Sequence, residues 1–324
     1  MANNKKEKTS NSITLGISSC LLGNHVRYDG SNSWDRFLTD TLGQYVRYVP
    51  VCPEVECGLG VPRESMRLAG DPTAPRLITV RTGKDYTGTM ISWASRRVKE
   101  LESEDLCGFI FKKGSPSSGM ERVKVYNEKG GPTKSGRGIF AKIFMEYFPL
   151  LPVEEDGRLH DITLRENFIE RIFTLQRWRE MILQKASRGH IVDFHTRHKL
   201  LILSHSAKHY QTMGRLVAHA KSFSLTQLYA EYDRLLREVL ALKATPKKHA
   251  HVLHHMMGYF KQQLTSDEKH ELLEIIGRYR EGSLPLIVPI TLINHYVRKY
   301  DQPYLTQQHY LSPHPVELQL RNHV

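Results

Sequence analysis

From residue 13 the chain alternates short apolar runs with longer amphipathic stretches. "ITLGISSCLLG" is an apolar run that stops at Cys20, and "YVRYVPVCPEVECGLG" is a β-branched and aromatic run that ends at Cys52-Pro53. A third run, "CGFIFKKGSPSSG", ends in a loop of Gly, Ser and Pro that leads into the alternating segment "MERVKVYN". Between the runs lie segments of helical spacing: "SWDRFLTDTLGQY" around residues 33–45, and "MISWASRRVKELESEDL" over 90–106. The latter sets Ile91, Ala94, Val98 and Leu101 against charged positions. Strand, helix, strand, helix, strand predicts an α/β parallel sheet with flanking helices. Ligands of such sheets lie outside the carboxyl ends of the strands, where all three loops fall.

This first domain is expected to span residues 12–155. "YFPLLPVEEDG", with two prolines and an acidic run, reads as its connector, and "PTKSGRG" at 132–138 as a flexible basic loop. Beyond about residue 163 the pattern is helical throughout, in "LRENFIERIFTLQRWREMILQ", "FHTRHKLLILSHSAKHYQTMGRLVAHA", "SLTQLYAEYDRLLREVLAL", "KHAHVLHHMMGYFKQQL" and "SDEKHELLEIIGRYREG". An all-α domain over residues 156–324 follows from it. No internal repeat is visible.

Charge adds a partner class. The chain carries +12 overall, as +4 over residues 1–160 and +8 over 161–324, and the second half holds 15 of its 17 histidines. A basic helical half suits a polyanion, and nucleic acid is the commonest in the cytoplasm. No run approaches the roughly 20 apolar residues of a membrane span. The start, "MANNKKEKTSNSI", lacks the apolar core of a signal peptide. Residues 1–11 therefore read as a disordered polar arm, and the protein as cytoplasmic.

In that compartment Cys20, Cys52, Cys57 and Cys107 are expected to be free thiols with roles in metal binding, catalysis or burial. Cys20 and Cys52 both fall at strand ends, where a parallel sheet can bring them together as soft ligands for an iron–sulfur cluster or zinc. The absence of a CxxC pair speaks against a zinc ribbon. Cys107 reads as a buried apolar residue. A cysteine nucleophile at Cys20 or Cys52 would want a base, and His25 is the one histidine near these loops. His195, His198, His205 and His209 recur at roughly helical intervals with Lys199 and Lys208. Contact of Lys199, Lys208, Arg215 and Lys221 with an RNA backbone accounts for that stripe better than a zinc site does.

"SSCLLG…VRYDG", "VCPEVECGLGVPRE", "SPSSGMERVKVY" and "GRGIFA" resemble the thiouracil and thiouridine desulfidase domain. The histidine-bearing helices and "LHHMMGYFKQQL" resemble the helical domain fused to it in tRNA 4-thiouridine desulfidases. The resemblance implies a 4Fe-4S cluster on three protein thiolates, one iron open to substrate sulfur. It also implies non-redox conversion of a thiolated uracil, in tRNA or as a small thio-base, to the oxo base and sulfide. Cys20 and Cys52 match two of the ligands, and the place of the third is taken by Ser118. Three explanations stand open: Ser118 ligates through oxygen, Cys57 takes over, or the cluster is absent or labile.

The chemistry asks for a general base, matched by Glu54, and for Ser115 or Ser117 to hold water or the ring. Asp29 could accept from a ring N–H or ribose hydroxyl or shape a turn. Arg63 and Arg67 could meet phosphates or line a solvated face. The main rival is a nucleic-acid-binding or regulatory protein whose cluster site has decayed, with Ser118 as the mark.

Overall fold

A computed structural model describes residues 13–127, 129–184, 186–318 and 320–322. The predicted arm at 1–11 lies outside the described residues. The chain divides between Asp161 and Ile162 into two compact units.

In chain order the first unit comprises β1 (Ile13–Ser18), β2 (Val46–Val51), α1 (Pro53–Glu56), β3 (Met66–Ala69) and β4 (Arg76–Thr79). There follow α2 (Thr87–Glu102), β5 (Gly108–Phe111), β6 (Val123–Tyr126), β7 (Pro132–Gly136), α3 (Ile139–Tyr147) and β8 (Val153–Glu155). One sheet is wholly parallel, in the order β2-β1-β5-β8. Every residue of β1 and β5 is buried, as strands covered on both faces must be. Helix α2 buries Met90, Trp93, Ala94, Val98 and Leu101; Ala94, Val98 and Leu101 follow the predicted stripe, whereas Ile91, expected on it, is exposed and Met90 and Trp93 take its place. Phe109 and Phe111 of β5 meet Phe140 and Phe144 of α3, with ring centroids 4.7–6.2 Å apart. Burial of each ring stabilises the unit by about 1.5–3 kcal/mol.

A second sheet, β4-β3-β6-β7, was not foreseen. "VKVY" is its third strand, parallel to β3 and antiparallel to β7. The segment expected as a flexible basic loop at 132–138 is mostly strand β7, whose first four residues are exposed. An edge strand with that little burial has no apolar alternation to betray it. The connector expectation fails for a different reason. "VEE" is β8, and Glu154, Glu155 and Asp156 are buried because their carboxylates have partners. Glu155 accepts from the Met120 N–H, Asp156 from the Lys113 N–H and Lys112 Nζ, and Glu154 from Arg158. The helix expected around 33–45 is instead a π-helical turn, Phe37–Thr41, followed by a 3-10 turn, Leu42–Gln44.

The second unit is helical: α4 (Ile162–Leu183), α5 (Arg188–His205), α6 (Ala207–Ala218), α7 (Leu225–Ala241), α8 (Pro246–Met257), α9 (Ser266–Arg280), α10 (Ile287–Lys299) and α11 (Pro303–Thr306). Ser224 with Gln227 and Thr265 with Glu268 form reciprocal capping boxes at the starts of α7 and α9. The helical stretch 194–220 breaks at Ser206, whose extended backbone ends α5 while its hydroxyl caps α6. Buried charges knit the core: Glu170 binds His205 at 2.7 Å and Arg321 at 3.2 Å, and Arg321 donates to the Tyr310 carbonyl. No helix among the described residues is long and apolar enough to cross a membrane.

Candidate active site

At the carboxyl edge of the parallel sheet lies a cleft of about 400 Å³. Ser18 of β1 is in register with Val51 of β2, so Cys20 and Cys52 leave neighbouring strands side by side. Cys20 sits in a 3-10 turn, Ser19–Leu22, and Cys52 caps α1. Both line the cleft, together with Ser118 from the loop after β5. That loop is held from beneath by the start of α3. Gly138 N donates to the Gly119 carbonyl at 2.8 Å, Ile139 N to that of Pro116 and Ala141 N to that of Ser117. A Cβ on Gly138 would come within 2.4 Å of the Ser117 carbonyl, so this position has room for glycine alone.

Glu54, in the first turn of α1, points across the site. Ser117 Oγ donates to its Oε1 at 2.5 Å, and Ser115 Oγ lies 3.0 Å from Ser117 Oγ. The Cys52 sulfur is 3.7 Å from Glu54 Oε2, and Arg63 is 4.0 Å away. Arg63 also donates to the Val26 carbonyl, while its Nε is buried without a hydrogen-bond partner. Ser118 is 3 % exposed. Among the described residues nothing hydrogen-bonds its hydroxyl; only its backbone N–H is engaged, by Ser115 Oγ.

Burial pushes the Cys20 thiol up to about 11, partly offset by the Lys112 ammonium, and the Cys52 thiol up to about 12, with Glu54 adding to the effect. Such thiols stay protonated at neutral pH unless a metal displaces the proton. They are poorly set as free nucleophiles, and among the described residues no histidine lines the cleft. His25 is exposed, with Nδ1 bonded to the Gly30 carbonyl. Among the described residues no three side chains of His, Cys, Asp and Glu are grouped to hold a metal ion. The donors the cleft offers are two thiols and the Ser118 hydroxyl.

The other sequence candidates are dispersed. Cys57 does not line the cleft; it ends α1, donates from Sγ to the Glu54 carbonyl at 3.3 Å and lies against the core. Cys107 is fully buried. Asp29 shapes a turn, its carboxylate taken by Ser31, whose hydroxyl holds it below the usual aspartate range. Arg63 lines the cleft, whereas Arg67 lies in a neighbouring groove. In the second unit Lys199 and Arg215 line a shallow depression with His195 and Tyr210, and Lys208 is exposed near the start of α6. Within the histidine stripe, His195, His198 and His205 are buried. His195 meets the Tyr232 hydroxyl, and His198 stacks on Phe194 and His309 and accepts from Arg177. Two cleft residues went unremarked. Lys112, paired to Asp156 at 2.6 Å, follows β5 directly and obeys the strand-end rule that exposed the thiols. Arg27, hydrogen-bonded to Ser31 and Ser33, stands inside the "VRYDG" motif.

Residues 15–156 match the family model described as 2-thiouracil desulfurase. Residues 199–315 match a second, described as a protein of unknown function, DUF1722. The chain is 33% identical over 153 residues to the protein described as uncharacterized protein YbgA of Escherichia coli, covering 47% of this chain and 90% of YbgA. The chain belongs to the family of YbgA. Its first unit is a thiouracil-desulfurase-like domain. A solved structure of the 4Fe-4S-dependent thiouracil desulfidase TudS is 27% identical, with a TM-score of 0.39 over 46% of this chain and 95% of that one.

Proposed function

We propose that the first unit removes sulfur from a thiolated uracil, with 4-thiouridine in tRNA as the substrate, giving uridine and sulfide. The observation that carries this reading is the convergence of Cys20, Cys52 and Glu54, the last held by the buried Ser117, on one cleft at the sheet's carboxyl edge. The family match over this unit supports it. The strongly basic second half supports a polyanionic substrate.

The donor set fits an iron–sulfur cluster with two thiolates and one oxygen ligand. Cys20 and Cys52 are thiols that metal binding would ionise, and Ser118 presents an unclaimed hydroxyl beside them. Held there by Cys20, Cys52 and Ser118, a 4Fe-4S cluster would supply a Lewis-acidic iron suited to soft sulfur, which would make the adjoining ring carbon more electrophilic. Glu54 takes the proton of a water aimed at that carbon. Ser117 fixes one carboxylate oxygen, leaving the other for the water, and Ser115 extends the hydroxyl chain. Arg63 keeps the carboxylate oriented, and Lys112, paired with Asp156, lines the same cleft. Water oxygen becomes the carbonyl oxygen, sulfur leaves as hydrogen sulfide, and no electron is transferred.

The test is anaerobic reconstitution with iron and sulfide, then turnover of 4-thiouridine, free and in tRNA. Sulfide release that requires Cys20 and Cys52 is the expected result. The Ser118 substitution favours a second reading, a nucleic-acid-binding protein with a decayed cluster site. Iron uptake by Ser118→Cys alone, with none by the wild type, would establish that reading instead.

A further inference from the structure

Beside the cleft runs a groove of about 670 Å³ over the second sheet, and the two share Met66, Lys113, Gly114 and Pro116 as lining. Its acids are spoken for. Glu121 pairs with Arg158 at 2.6 Å, and Glu155 accepts from the backbone of Met120 and Glu121. Its cations are not: among the described residues Arg67, Lys113, Arg122, Lys124 and Lys134 have no carboxylate partner. Arg67 lies over the Tyr126 ring at 5.1 Å, with its Nε buried and without a hydrogen-bond partner.

The sheet register sharpens the point. Lys124 of β6 is directly opposite Lys134 of β7, and both are exposed. Like charges facing across two strands destabilise a sheet unless something anionic neutralises them. A groove with paired acids, unpaired cations and a cross-strand lysine pair is built for a linear polyanion. Its continuity with the cleft and the Tyr126 ring favour one whose bases can stack and enter that cleft.

We infer that this groove binds the phosphodiester backbone of the RNA strand flanking the thio-base, with Lys124 and Lys134 as phosphate contacts. The inference rests on the desulfurase reading for the base that occupies the cleft, while the groove itself is testable without turnover.

The experiment is fluorescence anisotropy of an end-labelled, unmodified tRNA transcript on the full chain across a salt series, with melting of each variant measured without RNA. Lys124→Glu with Lys134→Glu is expected to weaken binding at least about tenfold and to make the salt slope shallower by about one to two. Lys124→Glu alone is expected to raise the melting temperature, because it turns a repulsive pair into an attractive one. Unchanged affinity and slope would overturn the inference, as would weaker binding accompanied by a lower melting temperature, the signature of a structural role. Polyaspartate competing as well as RNA at equal charge would overturn the assignment to RNA. Wild-type turnover of free 4-thiouridine, measured in parallel, separates the two failures. Turnover without groove-dependent binding sinks the groove, and groove-dependent binding without turnover sinks the desulfurase reading.

Discussion

Ser117 donates a 2.5 Å hydrogen bond to Glu54, 63 positions earlier in the chain. The contact ties the loop after β5 to the helix after β2, so the base and the serine loop are positioned as one device. Replacing Glu54 with Gln keeps the shape and removes the proton acceptor. Turnover is expected to fall by about 10²–10⁴, the usual contribution of a general base, with iron content unchanged. A variant that keeps its rate would remove Glu54 from the chemistry.

Gly138 is the second fixed point of that loop. Gly138→Ala forces a Cβ into the Ser117 carbonyl and is expected to cost about 1–3 kcal/mol and to slow turnover through Ser117. Thermal melting and steady-state rates measured together check this; a variant matching the wild type in both would show that the loop can give way.

Cys57→Ser is expected to keep its iron, since the Cys57 sulfur faces the Glu54 carbonyl and the core, away from the cleft. Iron quantitation after reconstitution is the check. Loss of iron in this variant alone would make Cys57 a ligand and require α1 to rearrange.

Acid should weaken the second unit. Burial pushes His195 and His309 down to about 4 and His249 down to about 3, from an ordinary 6.5. Between those values the unfolded chain binds protons that the folded one refuses, so stability falls as pH drops through the window. At about 1.4 kcal/mol per pKa unit, His195 contributes at most about 3.5 kcal/mol and His249 at most about 5 kcal/mol, and the half-buried His309 less, because solvent screens it. Glu166, pushed up to about 7 by burial, opposes this, because its contribution is lost as pH rises from 4.5 through 7. The histidines outnumber it, and melting temperatures measured from pH 7 to pH 4 should decline. A flat profile would contradict the account.

The parallel sheet was legible because β1, β2 and β5 are short apolar or β-branched runs, and their carboxyl ends named Cys20, Cys52, Glu54 and the serine loop directly. β7 and β8 were not, since "PTKSG" is almost fully exposed and "VEE" buries two carboxylates, Glu154 paired with Arg158 and Glu155 held by the Met120 N–H, which is distant in sequence. The burial of the histidines was hidden in the same way. His198 is stabilised by Phe194 of its own helix and by Arg177 and His309, and no local pattern announces that those two distant segments converge on it. The facing of Lys124 and Lys134 likewise depends on strand register, which the alternation of "VKVY" alone cannot fix.

The most direct test of the central claim is iron content and sulfide release on the anaerobically reconstituted wild-type chain, with Cys20→Ser and Cys52→Ser alongside and 4-thiouridine as substrate. The account predicts about four irons per chain, as the proposed cluster requires, sulfide released as substrate is consumed, and loss of both in either variant. A wild-type chain that takes up no iron, or that releases sulfide equally well without Cys20 and Cys52, would contradict it.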